Sequence, residues 1–537
     1  MPEKNRVYRA RIEGYTSEGL GVARIDGQAV FVHRALRGED CDVLILKVLK
    51  NAAFGKAVRV YEPSPHRVEP DCPYYGRCGG CDFRHMDRTE ELAAKRQRVQ
   101  DALRRIGGSA VTVEGIDGGA PLHYRNKSQY PVAADGSVGF YKARSHQVVP
   151  VAQCLIQKPQ ADAAAQALRT YIASCGVSCY DEKTRRGLVR HLYIRTNGAG
   201  QSLICVVANG KKLPGEEELV RLLRQAAPET VGVVLGVNTQ PTGAVLGTEY
   251  RTLWGADVLT DTLCGLTFRL SVPSFYQVNR EMAERLYARA VEFAGLTGTE
   301  TVLDLYCGAG TITQVMARHA GRVIGAEIVP EAIEDAKANA KRNNVENVEF
   351  FCGDASAVAA DLAARGLRPD VICVDPPRKG LSTEVVRAAA QMAPQRIVYV
   401  SCDPATLARD VKLFGQEGYE AVRAAAVDMF PGTANVETIC LLSKLNAKQH
   451  IEINLDMDEL DLTDAEKKAT YQEIKDYVLE HSGLKVSSLY IAQVKQKCGI
   501  IERENYNKPK SEDAKQPQCP PDKEKAIKEA LTHFGMI

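Results

Sequence analysis

The chain has 537 residues, 45% hydrophobic and 25% charged, with a formal net charge of +2, the profile of a globular polypeptide long enough for three or four domains. No apolar run reaches transmembrane length and the start, Met1-Pro-Glu-Lys-Asn-Arg6, is charged rather than leader-like, so a cytoplasmic role is expected rather than a membrane or secreted one. Its 16 cysteines are scattered instead of forming a staple framework; in a reducing compartment they are expected to be free, metal-bound or catalytic.

Charge is unevenly spread. Residues 1–110 carry 20 Lys and Arg against 15 Asp and Glu, a net of +5, whereas residues 446–537 carry 14 against 17, a net of −3. A basic front end suits a polyanionic partner, because phosphate contacts dominate nucleic-acid affinity.

Residues 1–62 read as short strands broken by turns: Val7-Tyr-Arg-Ala-Arg-Ile12, a turn-rich stretch from Gly14 to Gly21, then Ala29-Val-Phe-Val32 and Val43-Leu-Ile-Leu46. Five or so strands in that length predict a small barrel of the oligonucleotide-binding type. The cysteine cluster Cys72-Pro-Tyr-Tyr-Gly-Arg-Cys78-Gly-Gly-Cys81 follows, and then a charged helix from about Arg88 to Ile106. Three thiols in a glycine-rich loop suit a metal. Zinc would take His85 as its fourth ligand; an iron–sulfur cluster would take Cys154; spacing alone leaves both open. The region 63–270 is expected to be a mixed α and β central domain, with a basic stripe at Lys183, Arg185, Arg186, Arg190 and Arg195.

From 271 to 445 strand and helix patterns alternate as in a doubly wound parallel sheet. Thr301-Val-Leu-Asp-Leu-Tyr-Cys-Gly-Ala-Gly310 is a strand entering a glycine turn, and the next strand, Arg322-Val-Ile-Gly-Ala-Glu327, ends in an acid placed to hold ribose hydroxyls. A dinucleotide fingerprint would put a third glycine where Thr313 stands, so the loop fits S-adenosylmethionine better than NAD; Asp354, in Cys352-Gly-Asp354, adds to the pattern. In Val371-Ile-Cys-Val-Asp-Pro-Pro-Arg-Lys-Gly380, Asp375 ends a buried strand and two prolines carry the chain over the sheet edge, so a site role is expected rather than a helix cap. Past the strand Arg396–Val400 comes Ser401-Cys402-Asp403-Pro404, and later Asn435-Val436-Glu437. Taken alone, Cys402 reads as a small buried hydrophobe. In this company it reads as a nucleophile, with Glu437 as a carboxylate able to take a proton beside it.

Residues 446–537 look like an appended domain. A helix is expected over Thr470–Glu480, with Thr470 as cap and Glu473 at the capping-box position, ended by Gly483; a second is expected from Ser487 or Ser488 to about Lys497. This is a helix–turn–helix outline, basic at Lys485, Lys495 and Lys497. Cys498 and Cys519 read as structural, and the stretch from Lys508 to Lys525 as a loop.

Together, Cys72-x5-Cys78-x2-Cys81 with Cys154, Tyr124-Arg-Asn-Lys127, Phe275-Tyr-Gln277-Val-Asn279, the Asp304–Gly310 turn, Asp375-Pro-Pro-Arg378, Ser401–Pro404 and Val436-Glu437 resemble the iron–sulfur-containing RNA uracil-5-methyltransferases, in particular those of bacterial 23S ribosomal RNA. The resemblance runs from about residue 5 to 444. It implies an S-adenosylmethionine-dependent enzyme with a Rossmann-like class I methyltransferase domain and an N-terminal TRAM domain that binds RNA. It implies a 4Fe–4S cluster on Cys72, Cys78, Cys81 and Cys154, cofactor contacts at Gln277, Tyr306, Glu327, Asp354 and Asp375, Cys402 as nucleophile and Glu437 as general base. It also implies that the helix near 88–106 packs on the catalytic domain. Asn435 stands where many relatives have histidine, and Asp403 where some have asparagine. The expected substrate is a uridine of 23S ribosomal RNA, with transfer RNA, or an RNA-binding factor without catalysis, as alternatives; no membrane and no obligate protein partner are expected. A DNA cytosine methyltransferase fits less well, since its thiol typically follows a proline and Cys402 follows Ser401.

Overall fold

The computed structural model describes residues 1–445, 471–498 and 519–534, in two compact units, Met1–Ala447 and Lys448–Ile537. Among these residues no helix is long and apolar enough to cross a membrane.

At the N-terminus apolar residues recur at every second position. Cys41, Val43 and Ile45 of Asp40–Val48, and Val30 and Val32 of Gln28–His33, are buried while their neighbours are not. A period of two sends them to one face, and six strands wrap that face into a core with Ala10, Ile12, Ala23 and Ala53. Val7–Arg11 and Gly21–Ile25 lie far apart in sheet order yet come back into contact, as a barrel requires.

The middle of the chain forms a five-stranded sheet in the order Glu249–Gly255, Thr230–Val237, Ser202–Ala208, Val189–Thr196, Lys127–Pro131. Helices Pro159–Ser174 and Glu216–Ala226 share one core with it. The other face packs against Leu259 and Val272, at the two ends of the hairpin region. Covered on both sides, Val189–Thr196 is buried at every residue. This corrects the expected basic stripe: Lys183, Arg185 and Arg186 are exposed, but Arg190 and Arg195 are buried and donate to the backbone carbonyls of Asn238, Gln240, Val272 and Ser274. They tie loops down instead of facing a partner.

The largest sheet has eight strands. Five parallel ones run in the order Val348–Cys352, Arg322–Glu327, Thr301–Leu305, Val371–Val374, Arg396–Ser401; Glu437–Lys444 then pairs antiparallel to the last, followed by Tyr419–Val427 and Val113–Asp117. Val113–Asp117 comes from before the middle sheet in sequence. Helix Arg88–Arg105 crosses with it and packs on helix Pro404–Gln416, its Val99 and Leu103 joining the sheet's core. That helix starts at Asp87, whose side chain accepts from Glu90 N–H. Its Lys95 is 1% exposed, an extreme burial for an ammonium, and is compensated by Glu91 Oε1 at 2.8 Å, Asp428 Oδ1 at 2.5 Å and the Phe430 carbonyl at 3.0 Å.

The second unit contains helices Tyr471–Ser482, Ser488–Lys497 and Pro521–His533 around Ile474, Val478, Ile491, Val494, Ile527 and Leu531. Thr470, and with it the expected capping box, lies outside the described residues. Gly483, at φ 67°, ends the first helix and Ser487 caps the second. The third corrects the loop expected up to Lys525: from Pro521 the chain is helical, with proline in its first turn and Asp522 and Glu524 beside the N-terminal end. Residues 508–518 lie outside the described residues. Lys495, expected on a basic face, is 4% exposed.

Candidate active site

All five parallel strands point their carboxyl ends to one edge, where open α/β sheets take ligands. Tyr306, Glu327, Asp375 and Cys402 each stand at or one residue past a strand end there, and Asp354 two past Cys352. Glu437–Lys444 runs the other way, so it begins at this edge. Its register pairs Ser401 with Thr438, which brings Cys402 opposite Glu437 one step further on. Two residues 35 positions apart in sequence are therefore neighbours.

Cys402 is partly buried and Glu437 is 3% exposed. Burial pushes the Glu437 carboxyl up to about 8; Asp375 adds to this and Arg378 opposes it. Burial likewise pushes the Cys402 thiol up to about 11, with the Glu437 charge adding and the nearby Arg378 guanidinium opposing. Arg378 thus bears on both groups. Its loop is fixed by Asp410, fully buried, whose Oδ2 accepts from Leu381 N–H at 2.7 Å and from Tyr399 O–H at 2.6 Å. Asp403 caps the next helix, accepting from Ala405 N–H at 2.9 Å, and Asn435 donates to Thr433 Oγ1.

The glycine turn is built tightly. Tyr306, Gly308 and Gly310 all have left-handed φ, of 71°, 54° and 74°. A Cβ on Gly310 would stand 3.1 Å from Ala336 Cβ and 3.2 Å from the Phe350 ring, so only glycine fits without displacement. Glu327 Oε2 accepts from Gly308 N–H at 3.2 Å and its Oε1 from Val329 N–H at 3.0 Å, holding the acid against the turn. Thr313 occupies the third-glycine position for a reason: its hydroxyl donates to Asp304 Oδ2 at 2.5 Å. Asp304 is wholly buried under the turn, and burial, Asp375 and Glu327 together raise it to about 7 despite that bond. Asp375 is raised to about 7 by burial and caps no helix; the next one begins after Ser382. Asp354 is exposed and caps helix Ala355–Ala364, accepting from Ser356 N–H. Gln277 is 8% exposed in the loop before helix Arg280–Ala294, its carbonyl accepting from Asn126 Nδ2 at 2.9 Å.

Cys72, Cys78, Cys81 and Cys154 line one cavity of about 260 Å³, together with Arg84, Arg125 and Lys127 and no carboxylate. Gly80 N–H donates to Cys78 Sγ at 3.4 Å. His85, the alternative ligand, faces elsewhere: its Nδ1 meets Tyr75 O–H at 2.5 Å and it does not line this cavity. Among the described residues, no group of three or more His, Cys, Asp or Glu side chains is gathered as around a single metal ion.

Sequence motifs do not single out Asp410 or the Lys95–Asp428 pair, and Asp304 enters only as the start of the glycine-turn motif, with no role given to it. Asp304 carries one signal, a carboxylate inside an apolar strand. The others depend on contacts with no local pattern.

Residues 87–445 match the family model described as tRNA (Uracil-5-)-methyltransferase, and residues 3–58 match the TRAM domain. A Clostridium tetani protein described as "Uncharacterized RNA methyltransferase" is 43% identical over 452 residues, 83% of this chain and 98% of its own length. A Halalkalibacterium halodurans protein of like description is 42% identical over 449 residues, 82% of this chain and 98% of its own. The crystal structure of Pyrococcus abyssi tRNA (uracil-54, C5)-methyltransferase in complex with S-adenosyl-L-homocysteine superposes with a TM-score of 0.66 at 25% identity, over 81% of this chain and 100% of that one. Fold, sheet edge and matches define an S-adenosylmethionine-dependent RNA methyltransferase with an N-terminal TRAM domain. The chain belongs to the tRNA (uracil-5-)-methyltransferase family.

Proposed function

We propose that the protein methylates carbon 5 of a uridine in 23S ribosomal RNA, with Cys402 as nucleophile and Glu437 as general base. The observation that carries the reaction is the ladder register that sets these two groups opposite each other. S-adenosylmethionine, when bound, supplies an electrophilic methyl group on a sulfonium. Gln277, Tyr306, Glu327, Asp354 and Asp375 would hold it, and the fit rests on Gly308, where a Cβ would meet nothing within 4 Å, and on the acids at the strand ends.

Carbon 5 of uracil is too weak a nucleophile to take a methyl unaided. The Cys402 thiolate adds to carbon 6, forming an S–C6 bond and sending the C5=C6 pair onto the carbonyl at carbon 4 as an enolate. Arg378 favours this thiolate. Once carbon 5 carries the methyl, Glu437 removes its remaining proton, the double bond re-forms and the S–C6 bond breaks, returning Cys402. A stacked base cannot reach a half-buried thiol, so the target is a flipped or looped-out nucleotide.

Cys72, Cys78, Cys81 and Cys154 would hold a 4Fe–4S cluster. The donor set fits: four thiols line one cavity with three cations that offset thiolate charge. The methylation moves no net electrons, so the cluster's contribution is to structure, in a loop that also carries Arg77 and Arg84.

The 23S reading is supported by the resemblance of this cysteine motif and N-terminal barrel to the 23S ribosomal RNA enzymes. The same reaction on transfer RNA is the second reading, favoured by the tRNA activity for which the Pyrococcus abyssi neighbour is named. Methyl transfer from labelled S-adenosylmethionine to unmodified 23S ribosomal RNA and, in parallel, to unmodified transfer RNA separates them, with sites mapped by nuclease digestion and mass spectrometry. Label on a 23S uridine is the expected result. Label only on transfer RNA would overturn the substrate, and label on neither would favour an RNA-binding factor without catalysis.

A further inference from the structure

The segment from Asp428 to Val436, which leads into Glu437, has no ladder of its own; past Asp428, whose N–H donates to the Asp117 carbonyl, it is held largely by groups outside the sheet. Its first half is tied by Lys95 to the Phe430 carbonyl at 3.0 Å, by Tyr124 O–H to the Pro431 carbonyl at 3.1 Å and by Gly432 N–H to Glu91 Oε1 at 2.6 Å. The half adjoining Glu437 is tied differently. Asp82 and Phe83 N–H both donate to the Gly432 carbonyl, at 2.8 and 3.0 Å. Asp82 Oδ2 accepts from Ala434 N–H at 2.9 Å, and Arg98 Nη1 donates to the Ala434 carbonyl at 2.5 Å. Ala434 is therefore gripped through both its N–H and its C=O, with only Asn435 and Val436 between it and Glu437.

We propose that Asp82, together with Arg98, is a positioning residue for Glu437, so that the cysteine loop governs the proton-removal step. Asp82 directly follows Cys81, and Gly432 lies against the Cys81 sulfur: a Cβ there would stand 3.8 Å from it. Displacing the cysteine loop withdraws Asp82 and Phe83 from Gly432 and Ala434 and frees the start of the strand that carries Glu437. The S-adenosylmethionine residues Glu327, Asp354 and Asp375 stand on other strands and keep their supports. The consequence falls on one step: the carbon 5 proton stays, the S–C6 bond cannot break, and the methylated adduct persists. This inference rests on the reading of Glu437 as general base.

The test uses the full-length protein with Asp82→Ala, Asp82→Asn, Arg98→Ala and Glu437→Gln, an RNA transcript that the native protein methylates, and S-adenosylmethionine. Turnover, cofactor affinity and covalent protein–RNA adduct on a denaturing gel are read for each. Asp82→Ala is expected to lose about tenfold or more in turnover, the worth of one hydrogen bond to a charged group. It should accumulate adduct and bind cofactor as the native protein does. Asp82→Asn keeps an acceptor oxygen and should restore most of the turnover; Arg98→Ala should resemble Asp82→Ala and decides the matter if Asp82→Ala does not fold. Native turnover in Asp82→Ala and Arg98→Ala, or loss of turnover in step with cofactor affinity, would overturn the clamp. Adduct in Glu437→Gln but in neither clamp variant would also overturn it alone, whereas no adduct in Glu437→Gln would overturn the general-base reading beneath it.

Discussion

Cys402 and Glu437 face each other one step beyond Ser401 and Thr438, the last pair of an antiparallel ladder. Each is buried enough to resist ionisation, and the Glu437 charge raises the thiol further. The pair therefore favours one negative charge at a time. That suits a reaction in which the thiolate acts first and the carboxylate acts after the sulfur has become a neutral thioether.

Replacing Cys402 with alanine should abolish methyl transfer while S-adenosylmethionine binds with native affinity. Calorimetric titration beside a turnover assay checks this. A parallel loss of cofactor affinity would assign Cys402 to the cofactor pocket instead.

Glu437→Gln should stabilise the fold at alkaline pH. The Glu437 carboxyl stands at about 8 in the folded chain against an ordinary 4.5, so the folded state binds its proton more tightly. Stability from this group is complete below about 4.5 and is lost as pH rises through 8. Glutamine removes that loss, on the order of 4–5 kcal/mol at pH 8.5 and under about 1 kcal/mol at pH 5. Thermal melts at the two pH values should diverge accordingly; an equal shift at both would contradict the raised carboxyl.

Single-turnover release of methylated RNA should speed up as pH rises from 7 toward 9, following ionisation of Glu437, while formation of the adduct follows Cys402 at higher pH. Arg378 lowers both groups, so Arg378→Met should move the rise to higher pH. A profile displaced downward, or unmoved, would remove Arg378 from the site's electrostatics.

Lys95→Met should cost about 3–5 kcal/mol of stability, because it leaves the two buried carboxylates of Glu91 and Asp428 with a single cation, Arg88, between them. Denaturant unfolding measures this. A near-neutral result would mean that Arg88, which also reaches Asp428, suffices alone.

The sheet edge is legible in the sequence because its motifs are local: a strand, a turn and the first residues beyond it, as in Thr301–Gly310, Val371–Gly380 and Arg396–Pro404. The barrel is legible from period-two alternation. Lys95 and Asp428, 333 positions apart, leave no such trace, since nothing in either neighbourhood names the other. Arg190 and Arg195 look like a surface stripe because composition is silent on direction; buried carbonyls in the loops after Asn238 and Val272 turn them inward. The helix Pro521–His533 reads as loop up to Lys525 because proline and charge mark turns, though the same residues open helices. In the sequence Cys154 is a remote candidate that competes with His85 until the resemblance joins it to the other cysteines, and the cavity shared by all four is a tertiary feature.

Cys78→Ser should harm folding or RNA affinity more than cofactor affinity, as the cysteine cavity lies apart from the strand-end acids. Filter binding to RNA and cofactor titration on the same sample compare the two. Unchanged RNA affinity in a soluble, folded variant would contradict it.

Covalent catalysis by Cys402 with proton removal by Glu437 stands or falls on the mass of Glu437→Gln after incubation with substrate RNA and S-adenosylmethionine, followed by nuclease trimming. The expected product is a methylated nucleotide covalently attached at Cys402 and absent from the Cys402→Ala, Glu437→Gln double variant. Free methylated RNA with no adduct, or an adduct that survives the loss of Cys402, would contradict this mechanism.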